Sequence, residues 1–354
     1  MTKEKETTVP KLSVVMSVYN GEEFVKDAIE CILNQTYRDF ELILINDGSK
    51  DGSLKIMQDY AAKDDRIRII DQANTGLTIA LRRGVDAAKG DYIARMDVDD
   101  VSKPTRFEKQ MALIEENPSL VAVTTDVQHF VDDGREWGRS RLLRNPSILP
   151  LLLVFSNSVG GHGQMVYSRA AYQAVGGYDP DFNYAEDYDL WARLADEGPF
   201  ARVPEFLYYY RTGHDSVSSL NNDKQVRVAA RVAQRQYKNI TGVTEDEETF
   251  RAMQLFWKTR QPLEVSIPMA LRMASVSKRA VDAFFADNPE LAAEKYETLR
   301  QLAARWWWRA RGSEIGMALK AVSLTNAIRL GLAARIAKTQ HGGERIDNSL
   351  GWSS

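Results

Sequence analysis

The chain has one cysteine in 354 residues, Cys31, so no internal disulfide can form and nothing ties it to an oxidising compartment. Cys31 lies in a helical pattern and reads as a small core residue. No run of about 18 apolar residues occurs, so no transmembrane helix is expected. The polar, charged start, Met1 to Thr8, lacks the apolar core of a signal peptide. The expectation is a cytoplasmic protein, or one held peripherally on the inner face of a membrane. Two phosphate-binding loops are also missing. There is no Gly-x-Gly-x-x-Gly after the first strand and no Gly-x-x-x-x-Gly-Lys-Ser/Thr, which excludes a dinucleotide cradle and a P-loop. A nucleotide would have to be held through a metal instead. Positive charge is scarce in the front half. Residues 221–354 carry 21 Lys and Arg against 14 Asp and Glu, which leaves 25 against 35, a net of −10, for residues 1–220. An acidic front half binds nucleic acid poorly, so no nucleic-acid partner is expected.

What is present describes an ordinary globular protein, with 44% hydrophobic and 27% charged residues, long enough for a large domain and an appendage. Leu12 to Val18 is a β-branched apolar run that reads as a buried strand, ending in the turn Tyr19-Asn20-Gly21 before a helix opening at Glu22. Glu41 to Ile45 is a second buried strand, ending in Asn46-Asp47-Gly48-Ser49. A helix over 53–62, a strand over 66–70 and a helix over 76–88 lead to the run Tyr92 to Met96. Alternating strands and helices imply an α/β sheet with much parallel pairing. Beyond it the pattern gives a helix over 104–116, a strand over 120–130, a polar, mobile connection over 135–147, strands at 164–167 and 206–210, and a helix opening at Glu186.

Asp97-Val98-Asp99-Asp100 follows the Tyr92 to Met96 strand. Three carboxylates held together repel one another, and a divalent cation such as Mg²⁺ or Mn²⁺ relieves that repulsion. Asp-x-Asp also occurs at Asp179 and Asp187, so the motif alone decides nothing. Position decides it, because ligands of open α/β sheets bind at the carboxyl ends of strands. Tyr19-Asn20, Asn46-Asp47 and Asp97 to Asp100 all lie at such ends and should line one crevice.

In this order the first 220 residues resemble the family 2 glycosyltransferases, with the GT-A fold: a Rossmann-like mixed, mostly parallel sheet flanked by helices. Val15 to Asn20 is similar to that family's first strand and nucleotide loop, and Ile45 to Ser49 with Asp51-Gly52-Ser53 to its second. Asp91 to Asp100, then Pro104 and Arg106, is similar to its metal-site block. Gly176-Gly177-Tyr178 with Glu186 to Trp191 is similar to its acceptor-side block. The resemblance implies an inverting, metal-dependent transfer of a sugar from a nucleotide diphosphate to an acceptor hydroxyl. It implies Asp187 as general base, with Glu186 beside it, and Asp99 as ligand of Mg²⁺ or Mn²⁺. His214 would be a further metal or diphosphate ligand. Donor binding would fall to Tyr19, Asn20, Glu22, Asp47, Arg82 and Asp97, with a UDP-sugar favoured. Arg82 stands where such blocks often carry Asn. His162, in the flexible segment Gly160 to Gly163, and Trp191 would lie on the acceptor side, and Arg211 would reach the diphosphate or cap its strand. The acceptor would be a glycan, or lipid- or protein-linked, in surface-polysaccharide assembly. A nucleotidyltransferase or a non-catalytic sugar-nucleotide module remain alternatives.

The expected organisation is a disordered segment 1–10, a catalytic domain 11–220, a helical region 221–342 and a disordered tail 343–354. Trp306-Trp307-Trp308 lies in a basic stretch, 305–338, with seven Lys and Arg against one Glu. That stretch fits a helix lying on an anionic membrane, or a helical bundle or homodimer interface with Trp inside.

Overall fold

A strand buried along its whole length must have neighbours on both edges and helices on both faces. β1 (Leu12–Val18) is such a strand, with every residue buried. In the computed structural model it pairs in parallel with β2 (Phe40–Asp47) and β4 (Tyr92–Arg95), and β3 (Ile67–Gln72) adds in parallel outside β2. Crossover helices α1 (Val25–Leu33), α2 (Ser53–Ala61) and α3 (Leu77–Asp86) connect them. On α1, Val25, Ala28, Ile29 and Ile32 recur at helical spacing and enter the sheet core.

The second half of the sheet is mostly antiparallel. It uses β5 (Val101–Ser102), β6 (Ala122–Phe130), β7 (Glu136–Ser140), β8 (Val166–Ser168) and β9 (Phe200–Arg211), with α4 (Arg106–Glu116) after β5 and α6 (Arg169–Ala174) after β8. The sheet order is β3-β2-β1-β4-β8-β6-β9-β5, and β7 pairs with β6. The fold is therefore a mixed α/β sheet flanked by helices. The structure describes residues 9–131, 134–141, 143, 145–213, 222–258 and 265–309, the side chains of 222, 258 and 303–309 excepted.

Two expectations change. The connection 135–147, read as mobile, contains β7, an edge strand antiparallel to β6 with a register shift at His129/Phe130. Gly134 supplies the turn, with φ 79° and its N–H donating to Val131 O at 2.8 Å. The second change concerns α5 (Leu149–Leu152). Residues Ser147–Ser158 belong to a separate compact unit with the C-terminal helices, although they lie inside the span read as one domain. Leu151, Leu152, Val154 and Phe155 bury there among side chains of α8 (Asn222–Thr241), α9 (Glu247–Lys258) and α10 (Ile267–Asp287), so apolar burial assigns the segment. α11 (Ala292–Arg309) completes the described part of that unit. The side chains of Trp306 to Trp308, the rest of the basic stretch, the N-terminal segment 1–8 and the tail lie outside the described residues. Among the described residues no helix is long and apolar enough to cross a membrane.

Candidate active site at the strand ends

Strand register brings the loops level. Val18 pairs with Asn46 and Asn46 with Asp71, while Met96 N–H donates to Val15 O at 3.2 Å. The loops after β1, β2 and β4 therefore leave the sheet along one edge. The first two are tied together by their own side chains. Asn20 adopts φ 50°, a left-handed conformation that Asn tolerates. Its N–H donates to Ser49 Oγ at 3.0 Å, and its Oδ1 accepts from Lys50 N–H at 2.8 Å. Glu22 N–H donates to Asp51 Oδ2 and Glu22 Oε2 accepts from Gly52 N–H, at 3.0 and 2.8 Å. Asn20 and Glu22, expected to bind the donor, thus hold the loop that presents Tyr19. The Tyr19 ring is 50% exposed at the rim.

Asp47 is buried at the end of β2 and organises the stretch that follows β3. Its Oδ1 accepts from Gln72 Nε2 (2.7 Å), Thr75 N–H (2.8 Å) and Thr75 Oγ1 (3.1 Å), and its Oδ2 from Gly76 N–H (2.9 Å). The tight approach depends on Gly48, whose φ is 74° and where a Cβ would stand 2.6 Å from Asn74 N. Asp47 is therefore a clasp on residues 72–76, which the sequence did not reveal.

The three carboxylates after β4 have separate environments. Asp97 is ion-paired with Arg95, a guanidinium buried to 2% exposure beneath it. Burial, the largest single influence, would raise the Asp97 pKa, but the Arg95 charge together with hydrogen bonds from Arg95 and Tyr208 outweighs it and holds the carboxyl below its ordinary value. Asp99 is half-buried, and its carbonyl accepts from Arg211 Nε at 2.7 Å. Asp100 is fully buried. It accepts from Tyr208 Oη at 2.6 Å and from Arg211 N–H at 2.8 Å. Burial, then the charges of Asp97 and Asp99, push its pKa well up. Asp100 and Arg211 thus fasten the loop to β9. Replacing Tyr208 by Phe removes the buried donor to Asp100 and should cost about 1–3 kcal/mol, read as a lower midpoint in urea unfolding. An unchanged midpoint would show that this bond does not hold the loop.

The acidic pair sits at the start of α7 (Glu186–Leu194). Tyr184, just before it, has φ 80°, a strained value for a non-glycine residue. Glu186 is buried with Oε2 unpaired, and burial raises its pKa. Asp187 is half-buried and accepts from Tyr188 N–H at 2.6 Å. Burial, then the Glu186 charge, lift its pKa to about 7, and the Asp97 charge adds to the rise. The two acidic blocks therefore share one electrostatic field.

Other expected residues take different places. Trp191, expected on the acceptor side, is wholly buried; its Nε1 donates to Gly160 O at 3.1 Å and its ring meets Tyr167 and Phe200 edge-on. Its position one turn into an amphipathic helix puts it in the core. His162 is not in an open flexible loop. It is 7% exposed, its ring edge-on to Tyr178, and burial followed by the Arg95 charge lowers its pKa to about 3, so it stays neutral. Arg82 is exposed on α3, and its charge is felt at the Tyr172 hydroxyl. His214 lies outside the described residues.

Sequence reading assigned no role of their own to Gly163, seen only as part of a flexible segment, or to the buried pair Arg95 and Arg106, seen only within the block around Asp97. A Cβ on Gly163 would fall on the Tyr208 hydroxyl and stand 2.6 Å from Asp97 Oδ2. Arg106 donates to Gly163 O at 2.8 Å and to Arg95 O at 2.9 Å. A charged residue inside the apolar run Tyr92 to Met96 was the available signal for Arg95.

Comparison with known proteins finds relatives of one kind. The sequence model described as Glycosyl transferase family 2 matches residues 13–176. An uncharacterized glycosyltransferase of Haemophilus influenzae is 30% identical over 241 residues, covering 66% of this chain and 74% of the relative. The O-antigen biosynthesis glycosyltransferase WbnJ of Escherichia coli is 34% identical over 209 residues, covering 58% and 81%. Among solved structures, S. aureus TarS 1–349 in complex with UDP-GlcNAc superposes with a TM-score of 0.54 at 17% identity, covering 77% of this chain and 81% of that one.

Proposed function

Because the chain belongs to glycosyltransferase family 2, we propose that it transfers a sugar with inversion from a nucleotide-diphosphate sugar to a hydroxyl of a growing surface saccharide. The observation that carries the mechanism is Asp187, a half-buried carboxyl whose pKa lies at about 7 within reach of the Asp97 charge. A general base works best with a pKa near the working pH. Asp187 takes the proton of the acceptor hydroxyl as its oxygen bonds to the anomeric carbon and the bond to the diphosphate oxygen breaks. The proton ends on Asp187, and the electron pair of the broken bond ends on the leaving diphosphate. Tyr19 offers a ring face to the base, and the residues clasped by Asp47 follow the neighbouring strand end. Asp97, kept ionised by Arg95, accepts hydrogen bonds from the ribose or the sugar.

A Mg²⁺ or Mn²⁺ ion would sit at the lip of β4. Among the described residues no three His, Cys, Asp or Glu side chains form a cage. Such hard cations need only one or two carboxylates when phosphate oxygens and water fill the remaining positions. Asp99 would hold the ion, with His214 the second candidate. When bound, the ion supplies Lewis-acid neutralisation of the leaving diphosphate. The relative WbnJ, named for O-antigen biosynthesis, supports a saccharide acceptor.

Thermal-shift screening of UDP-, GDP- and dTDP-sugars with and without Mn²⁺ tests this reading. One nucleotide series, UDP-sugars first, should raise the melting temperature only with metal. No stabilisation by any donor in Mn²⁺ would count decisively against it.

A further inference from the structure

Trp137 on the edge strand β7 is 59% exposed, yet it is held still. Its Nε1 donates to Thr212 Oγ1 at 2.7 Å, and Thr212 donates through N–H and Oγ1 to Phe130 O at 2.8 and 3.0 Å. The His129 ring lies 5.3 Å from the indole, tilted by 46°. His129 is fixed in turn by Ser140 Oγ at 2.7 Å from Nε2 and by the Tyr210 ring, edge-on at 5.7 Å. Opposite His129 stands Gly138, with no side chain to cover it. The result is a rigid aromatic ledge with an open indole face.

This ledge is continuous with the loop that carries Asp99. Thr212 follows Arg211, whose Nε donates to Asp99 O and whose guanidinium stacks 4.7 Å from the Phe130 ring. The size of the ledge points to its occupant. Among the described residues the other exposed large hydrophobic side chains are Val9, Tyr19, Ile79, Val243, Ile267 and Leu271, and none lies on β6, β7 or β9. One indole is far smaller than the roughly 800 Å² per partner of a stable protein interface. It matches one face of a pyranose ring, apolar on its C–H face and hydroxylated at its rim. Because the indole is already immobilised, little conformational entropy is lost on binding.

We propose that Trp137, backed by His129 and Tyr210, is a subsite that stacks a pyranose ring of the acceptor saccharide. The inference rests on the transferase reading above and adds where the acceptor lies. The test uses the full chain labelled with 5-fluorotryptophan, in UDP and Mn²⁺, with the Trp137 ¹⁹F resonance assigned by its loss in Trp137→Phe. The probes are p-nitrophenyl glycosides of glucose, galactose, mannose, N-acetylglucosamine and N-acetylgalactosamine. At least one should move the Trp137 resonance saturably. Trp137→Ala should weaken binding of that glycoside by about tenfold, and Trp137→Phe by no more than about threefold, since a stacking face is kept. Donor affinity, read by Mn²⁺-dependent thermal shift, should match the wild type in both variants. The proposal is overturned if no glycoside moves the resonance, or if the glycoside that does binds Trp137→Ala equally well. Failure of the transferase reading looks different: no nucleotide sugar with Mn²⁺ stabilises the wild-type protein.

Discussion

Asp187→Asn is expected to abolish sugar transfer while leaving the protein folded, able to bind donor and more resistant to heat. Removing a positioned general base costs roughly 10²–10⁴ in kcat. Asn keeps the shape and can still accept the Tyr188 N–H, but it cannot take a proton from the acceptor. The pKa gives the direction of the pH dependence. Burial, then the Glu186 charge, raises Asp187 from its ordinary 3.8 to about 7. The working form is the carboxylate, so the wild-type rate should rise with pH through about 7. Stability runs the other way. A raised carboxyl favours folding below its unfolded pKa, and that contribution is lost as pH rises through the folded value. Above neutrality the wild type therefore holds an unfavourable charge beside Glu186, and the Asn variant does not. Its melting temperature should be higher there, although Asn forgoes the weaker attraction of a carboxylate to a helix N-terminus. Comparing kcat, donor thermal shift and melting temperature above neutral pH decides the matter. Transfer at the wild-type rate would remove Asp187 as the base, and lost donor stabilisation would make it a binding residue.

The sheet and the edge of the site were legible because they depend on local pattern. Leu12 to Val18 and Glu41 to Ile45 announce strands buried on both faces, and strands with crossover helices fix where their loops emerge. Asp97 to Asp100 could be placed from that alone, whereas Glu186 and Asp187, at a helix start, were placed only through the family resemblance. What lies beneath them could not. Arg95 under Asp97, Tyr208 on Asp100 and Arg211 on the Asp99 carbonyl are contacts between residues far apart in sequence. No periodicity reports such pairs. Trp191 shows the limit from the other side, since helical spacing says that a residue faces inward but not whether inward means core or cleft. β7 was hidden because its only large apolar residue, Trp137, has no apolar partner two residues away to make an alternation, as suits an edge strand. Ser147–Ser158 was hidden because an apolar run states that it will be buried without stating against which core.

Gly163→Ala should be nearly as damaging as losing the base, through a single methyl group. An ideal Cβ at this position would fall on the Tyr208 hydroxyl and lie 2.6 Å from Asp97 Oδ2. The backbone cannot withdraw easily, since Gly163 O is held by the buried Arg106 at 2.8 Å and Arg106 also holds Arg95 O. Room can therefore come only from Tyr208 or Asp97. If Tyr208 moves, Asp100 loses its buried donor and the Asp99 loop loosens. If Asp97 moves, it leaves the Arg95 guanidinium that keeps it ionised. Overpacking of this kind costs about 1–3 kcal/mol of stability. A displacement near 1 Å in a positioned group costs roughly 10²-fold in rate. The variant should therefore show a lower urea midpoint and a loss of about that size in kcat/KM. Gly161→Ala is the matched control, because its Cβ would meet nothing nearer than Gln164 Oε1 at 3.9 Å and its φ is not left-handed. If the two variants transfer sugar equally well, the close approach of Gly163 to Asp97 is not what positions that carboxylate.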